Sequence, residues 1–223
     1  MEGLQHMPPL DPRKVPRQRR SKATVEAMLD ACAEEAGRLG YHGLTTHQIA
    51  ARAGVSVGTL YQYFPNRDAV AGALTIRALE RLLEAMRQAL ADCIARNLAS
   101  LEATEHLLLT GLQVLVDERP VFARLAPEAP HLFRLPAAAK LQGQLIELSQ
   151  EIRLSGGDRL DLPMPQADAW IIGHMVSASM LQVSLLDAPN EERRRLTREI
   201  ARLTCRMALD RREGERSGAS AAA

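Results

Sequence analysis

Apolar positions recur at three- and four-residue intervals along most of this chain, the spacing of helices that bury one face. Val25, Met28, Leu29, Cys32, Ala36 and Leu39 predict a first helix over Ser21 to Leu39, ended by Gly40. Val70, Leu74, Ala78, Leu82 and Met86 predict a long helix that Asn66 caps, with Asp68 favourable to its N-terminal dipole, running past Leu90. A helix from Leu101 to Asp117 follows. Pro120, Pro127, Pro130 and Pro136 then restrict the chain to short helices. Three more helices are expected at Ala137 to Leu154, Ala167 to Leu186 and Glu191 to Arg212, with a loop from Ser155 to Gln166. Alternating β-branched runs are scarce, so the fold class is all-α. Residues 1–20 are rich in proline and charge and are expected to form a disordered basic arm. Residues 213–223 read as a disordered tail.

Between the first and the long helix lies LTTHQIAARAGVSVGTLYQYFPNR, residues 44–67. Thr45 and Gln48 have the spacing of a capping box. Ile49, Ala50 and Ala53 share a helical face, and Gly54 supplies the left-handed residue that ends the helix. Ser56 is placed to cap a second helix, with Leu60 and Phe64 on its buried side. Pro65 stops it. Two short helices joined by so tight a turn form a helix-turn-helix, whose second helix enters the major groove of DNA. On a helical wheel Val57, Leu60 and Phe64 share the core side. Gly58, Thr59 and Gln62 face away, and Tyr61 and Tyr63 flank the boundary. Thr59 and Gln62 have the chemistry to read base edges, and Gly58 leaves room for close approach. Thr46, at the start of the first of the two helices, suits a phosphate oxygen.

Composition supports a helical, DNA-directed protein. Hydrophobic residues make up 46% and aromatics only 3%, so the core is largely aliphatic. No apolar run approaches the ~20 residues that span a bilayer. The longest, Leu107 to Val116, is broken by Thr110, Gly111 and Gln113. There is no secretory pattern at the start, and a cytoplasmic location is expected. Cys32, Cys93 and Cys205 are scattered and odd in number, which fits buried thiols in a reducing compartment. No phosphate-binding glycine loop, metal-spaced His/Cys set or nucleophile constellation is present, so neither catalysis nor a cofactor nor a metal is expected. The net charge of +1 conceals an asymmetry. Residues 12–70 hold nine Lys/Arg against five Asp/Glu, whereas residues 71–223 hold nineteen against twenty. Arg13, Lys14, Arg17, Arg19, Arg20 and Lys22 form a basic lead into the helix-turn-helix that would add phosphate attraction.

The ordered set Thr45, Ile49-Ala50, Ala53-Gly54-Val55-Ser56, Gly58-Thr59-Leu60-Tyr61, Tyr63-Phe64 and Arg67 resembles the signature of the TetR family of bacterial transcriptional regulators. Arg67 departs from it, since Lys is commoner there and a planar fork is not a point charge. The resemblance implies that Tyr61, Tyr63 and Arg67 touch phosphates or bases and that His47 approaches DNA. The expected DNA-binding set is therefore Thr45, Thr46, His47, Ser56, Val57, Gly58, Thr59, Tyr61, Gln62, Tyr63 and Arg67.

The resemblance also implies a second helical domain that binds a small-molecule effector and dimerises through its last two long helices. Candidate pocket residues are Leu108, Leu112, Phe122, Phe133, Trp170, His174 and Met175. Candidate dimer residues are Gly173, Ser177, Met180 and Ser184, a mostly small-residue stripe, with Leu196, Ile200, Leu203 and Met207 on the last helix. The expected organisation is an N-terminal three-helix helix-turn-helix domain at 21–81 joined by the long helix to a helical effector-binding and dimerisation domain at 82–212. The expected function is a ligand-responsive regulator, a repressor, binding a palindromic double-stranded DNA operator as a homodimer, with no membrane partner. A DNA-binding regulator without an effector is the alternative, and a helical-scaffold enzyme a more distant one.

Overall fold

Helices form where the apolar spacing places them, and no strand occurs among the described residues. The computed structural model describes residues 19–154 and 166–221. Its helices are α1 (Arg19–Leu39), α2 (Thr46–Arg52), α3 (Val57–Tyr63), α4 (Arg67–Ala95), α5 (Ser100–Asp117), α6 (Ala126–Glu128), α7 (Pro136–Leu154), α8 (Gln166–Leu185) and α9 (Asn190–Ala221). A π-helical turn, Val121–Leu125, leads into α6, and a 3₁₀ turn, Pro130–Arg134, follows it. Proline stands at the first position of that 3₁₀ turn and of α7, where its missing N–H costs nothing. Two ends differ from the sequence reading. Helix α1 begins at Arg19, inside the expected arm, and α9 runs through the expected tail to Ala221. No proline interrupts that tail, and its alanines are the best helix formers. Arg13, Lys14 and Arg17, and all but the last residue of the expected 155–166 loop, lie outside the described residues.

The described residues fall into two compact units. The first comprises 19–80 and 118–142, the second 81–117, 143–154 and 166–221. Helices α4 and α7 contribute to both. The proline-punctuated segment 118–142 clusters with the helix-turn-helix in the first of these units.

In the first unit Met28, Leu29, Cys32, Ala36, Leu44, Ile49, Leu60, Phe64, Val70 and Leu74 are buried. Each large side chain of this kind contributes ~1.5–3 kcal/mol by leaving water. Two glycines permit close contact with the 118–142 segment. The Pro120 ring lies 3.6 Å from where a Cβ on Gly37 would stand, and Leu135 Cδ1 lies 2.9 Å from that point on Gly72. Burial pushes the Cys32 thiol up to about 12, so it packs as an inert hydrophobe.

In the second unit α5 packs against α8 and α9. Leu112, Met180 and Val183 form its centre, with Leu108, Leu115, Val116, Val176, Leu196 and Ile200 packed around them. The turn after α4 closes on Asn97 at φ 50°, with Leu98 N–H donating to Cys93 O at 3.1 Å and Asn97 N–H to Ile94 O at 3.1 Å. Asn is the residue besides Gly that takes this left-handed capping position readily. The turn between α8 and α9 is held by Arg193, which donates to Leu186 O at 2.8 Å and to Asn190 Oδ1 at 2.7 Å.

Gly40 and Gly54 sit at φ +70° and +67°, where an L side chain costs ~1–2 kcal/mol. A Cβ on Gly54 would meet nothing within 4 Å, whereas one on Gly40 would lie 2.7 Å from Glu128 Oε2. Gly54→Ala should lower urea-unfolding stability by ~1 kcal/mol, the backbone cost alone. Gly40→Ala should lower it further, because the Glu128 carboxylate must also move. Equal losses in the two variants would show that the Glu128 contact contributes nothing.

Candidate nucleic-acid interface

The helix-turn-helix forms from local hydrogen bonds that the sequence spacing supplies. Thr45 Oγ1 accepts the Gln48 N–H at 3.2 Å and caps α2. The reciprocal bond differs from a capping box, since Thr45 Oγ1 donates to Gln48 Oε1 at 2.7 Å. Helix α2 ends in a Schellman turn: Val55 N–H reaches Ala50 O at 3.0 Å, Gly54 N–H reaches Ala51 O at 3.2 Å, and Gly54 is the left-handed residue. Ser56 Oγ then accepts Thr59 N–H at 3.0 Å and shares a 2.8 Å hydrogen bond with Thr59 Oγ1. Helix α3 stops at Phe64, and Asn66 Oδ1 caps α4 by accepting Ala69 N–H at 2.8 Å.

These elements sort the expected DNA-binding residues. Thr45, His47, Ser56, Gly58, Tyr61 and Gln62 are exposed, and Thr46, Val57, Thr59 and Arg67 are half-buried. Leu60 and Phe64 hold α3 by its other face, at 0% and 1% exposure. Tyr61 is 39% exposed, and its hydroxyl shares a 3.2 Å hydrogen bond with Thr46 Oγ1. That bond ties the start of α2 to the middle of α3, so the side chains that would meet a DNA backbone are ordered together. Tyr63 is 8% exposed and packs inward instead of lying on this surface. Thr59 spends its hydroxyl on Ser56, which leaves Gln62 as the exposed long amide of α3.

Arg67 has an engagement that spacing does not reveal. Its guanidinium stacks on the Tyr41 ring, with Cζ 4.9 Å from the centroid. One terminal nitrogen donates to Leu44 O at 2.9 Å, to His42 O at 3.3 Å and to Tyr41 O at 3.5 Å. Nε donates to Asp68 Oδ1 at 3.3 Å. Tyr41 is itself a node. Its N–H donates to Glu128 Oε2 at 2.7 Å, its hydroxyl donates to Asp68 Oδ1 at 2.9 Å, and His131 Nε2 lies 3.5 Å from that hydroxyl.

A second polar cluster joins α1 to α2. The Glu35 carboxylate is 3% exposed and receives Arg38 at 2.6 Å and Arg52 at 2.8 Å, while Arg52 also reaches Glu34 at 3.4 Å. On the next turns of α1, Arg77 from α4 pairs with Asp30 at 2.7 Å and Glu26 at 3.0 Å. The sequence reading assigned no role to Glu35, Arg52 or Glu128. The last is 87 residues from its Tyr41 partner, and no local pattern could have linked them.

The other candidate sets are divided. Phe122 and Phe133 lie in the first unit, rings 6.4 Å apart. Leu108 and Leu112 belong to the core of the second unit, and His174 and Met175 are exposed on α8. The Trp170 side chain is outside what the structure describes. Of the dimer candidates, Met180, Leu196 and Ile200 are engaged in the core of their own unit, and Ser184 is buried. Gly173, Ser177 and Leu203 are exposed, and Met207 is half-buried. The α8 helix is thus covered on one face only. Its other face leaves Ile171 48% and Met175 51% exposed.

Comparison with known proteins agrees with this architecture. Residues 28–74, from α1 through the helix-turn-helix into α4, match the family model for bacterial regulatory proteins of the tetR family. A tetR-family bacterial regulatory protein from Rhodococcus RHA1 superimposes with a TM-score of 0.65 at 18% identity, over 83% of this chain and 96% of that one. The TetR-family regulator PfmR from Thermus thermophilus gives 0.63 at 19% identity, over 80% and 97%. The transcriptional regulator FadR from Bacillus subtilis, solved with stearoyl-CoA, gives 0.62 at 16% identity, over 80% and 96%. A local match also exists to the N,N-dimethyltransferase OxyT of Streptomyces rimosus. It is 40% identical over 84 residues, 34% of this chain, and the chain spans only 22% of that protein. The first unit therefore carries a segment similar to tetR-family bacterial regulatory proteins, in a chain with the fold of TetR-family regulators. No helix among the described residues is long and apolar enough to cross a membrane.

The polar clusters give the domain two pH limits. Hydrogen bonds from Arg38, then from Arg52, hold the Glu35 carboxyl below its usual range against the opposing effect of burial. A depressed folded value stabilises fully above the unfolded value of ~4.3, and that contribution is lost as pH falls through the folded one. Burial, then the hydrogen bond to Asp68, pushes the Tyr41 hydroxyl up to about 12. A raised folded value stabilises below the unfolded value of ~10 and is lost as pH rises through the folded one. Urea midpoints should therefore fall below pH ~4 less steeply in Glu35→Gln than in the parent chain. Above pH ~10 they should fall less steeply in Tyr41→Phe. Parallel curves for variant and parent would remove the group concerned from the account.

Proposed function

We propose that this protein is a DNA-binding transcriptional regulator of the TetR family, a ligand-responsive repressor that binds a palindromic operator as a homodimer. The ordered α2–α3 surface carries the reading, with Tyr61 locked to Thr46 and Gln62 exposed on the helix that enters the major groove. Gln62 is suited to bidentate contact with adenine. Tyr61, His47 and the exposed hydroxyls are suited to phosphates, which fix register without reading sequence. One helix-turn-helix covers few base pairs, and a two-fold dimer doubles the site by reading half-sites about 34–36 Å apart or a multiple of it. The exposed apolar face of α8, with Gly173 and Ser177 allowing close approach, supports dimerisation there, with α9 beside it.

An apolar, largely aliphatic effector is the ligand class we favour. Only 3% of this chain is aromatic, and the fold-related Bacillus subtilis FadR was solved with stearoyl-CoA. Such a ligand can release DNA only through its differential affinity for two dimer shapes. Repression follows if the ligand-free shape is the one whose recognition helices match the half-site spacing.

The test is fluorescence anisotropy on the DNA upstream of the protein's own gene, and on random duplex, across a salt series. Selective binding should be weakened about tenfold or more by Tyr61→Ala, and Gln62→Ala should lose ~1–3 kcal/mol of discrimination at one base position per half-site. Sedimentation should give a dimer, and Met175→Glu a monomer that retains weak, nonselective DNA binding. Saturated acyl thioesters should release the selective complex. Equal affinity for all duplexes, including sequences recovered from a random pool, would end the operator reading. Selective binding that no acyl ligand alters would end the effector part alone.

A further inference from the structure

We infer that Arg67 is a positioning residue for operator recognition, not a phosphate contact: its guanidinium fixes the α1–α2 turn and so sets where α2 begins against the recognition helix. The inference rests on the DNA-binding reading above and assigns a different task to one residue of its surface. Arg67 stands at the first position of α4, where a cation is unfavourable to the helix dipole. Its side chain turns away from that end, toward three carbonyls of the Tyr41–Leu44 turn. These carbonyls follow the end of α1 and precede the cap of α2, so helical bonds do not use them.

The guanidinium is suited to this task in three ways. One terminal nitrogen reaches the three carbonyls, the flat face stacks on Tyr41, and Nε meets Asp68 at the same time. Leu44, whose carbonyl takes the shortest bond, is fully buried and directly precedes Thr45, the cap of α2. Thr46, the next residue, holds the Tyr61 hydroxyl. A continuous path therefore runs from Arg67 through the turn and the α2 cap to α3. Lysine, with no second donor nitrogen and no planar face, could serve a phosphate equally well but could not hold the carbonyls, the Asp68 bond and the Tyr41 stack together.

That difference makes Arg67→Lys the decisive variant. A duplex recovered by the parent protein from a random-sequence pool serves as the selective probe, with unrelated duplex as the reference. Both are titrated over a salt series at a temperature where thermal melting shows the variant folded. Positioning predicts that selective affinity falls about tenfold, as if the competent arrangement were about one-tenth populated. Affinity for unrelated duplex and both salt slopes should stay at parent values. A phosphate contact predicts that Lys retains selective affinity, while Arg67→Ala makes the slope shallower by ~0.9 per protomer. A merely structural role predicts a lower melting temperature with selective affinity unchanged. Either of the last two results overturns the inference.

A measurement on the unaltered protein covers a variant that fails to fold. Arg67 guanidinium protons should give slowly exchanging, resolved NMR signals in the free protein, and these should barely shift when the selected duplex is added. Signals that sharpen or order only on adding DNA would overturn the inference. Failure of the parent to enrich any duplex is a separate outcome that removes the DNA-binding reading itself, and this inference with it.

Discussion

The short turn between α1 and α2 is the constraint on which the geometry of the helix-turn-helix depends. A turn of this kind leaves backbone donors and acceptors that no helix can satisfy, and burying them without partners costs ~1–3 kcal/mol each. Here side chains from distant segments meet that need. Glu128 accepts the Tyr41 N–H, Arg67 donates to the carbonyls, and Tyr41 places its ring and hydroxyl between Arg67 and Asp68. Gly40 must be glycine both for its left-handed conformation and because Glu128 occupies the space beside it. The turn is thereby held from α4 on one side and from the 118–142 segment on the other.

Recruitment of 118–142 into the first unit ties this turn to a late part of the chain. A residue that holds the entry to α2 comes from a segment connected directly to α5 and α7, which carry the chain into the second unit. The prolines that break this segment into short turns also let Pro120, Leu135 and Glu128 reach three separate places on α1, α4 and the turn between α1 and α2. A single long helix over the same residues would present one face and could not do so.

The helix-turn-helix was legible from the residues because the caps and the turn that shape its two helices are local, whereas the Tyr61–Thr46 bond and the hold on its entry are not. Thr45, Gly54, Ser56 and Asn66 act within four residues of their own positions, and capping chemistry is a short-range property. The all-α class and the helix positions were legible for the same reason, since burial on one face imposes a period that composition cannot hide. Two residues expected on this surface are engaged or buried in ways that spacing did not show. Tyr63 is only 8% exposed. Arg67 is engaged by a turn more than twenty residues earlier.

In the second unit α8 carries apolar residues around most of its circumference, and only packing decides which side is used. Met180, Val183 and Ser184 go inward, leaving Ile171, Met175 and Ser177 outward. By itself, then, the sequence determined the helices, their caps and the recognition motif, all set by interactions within a turn or two of the chain. The tertiary structure decided which residues of 118–142 support the motif, where Arg67 spends its charge and which face of α8 stays open. Those outcomes depend on pairings such as Tyr41 with Glu128, which form only after distant segments have packed together and leave no period along the chain.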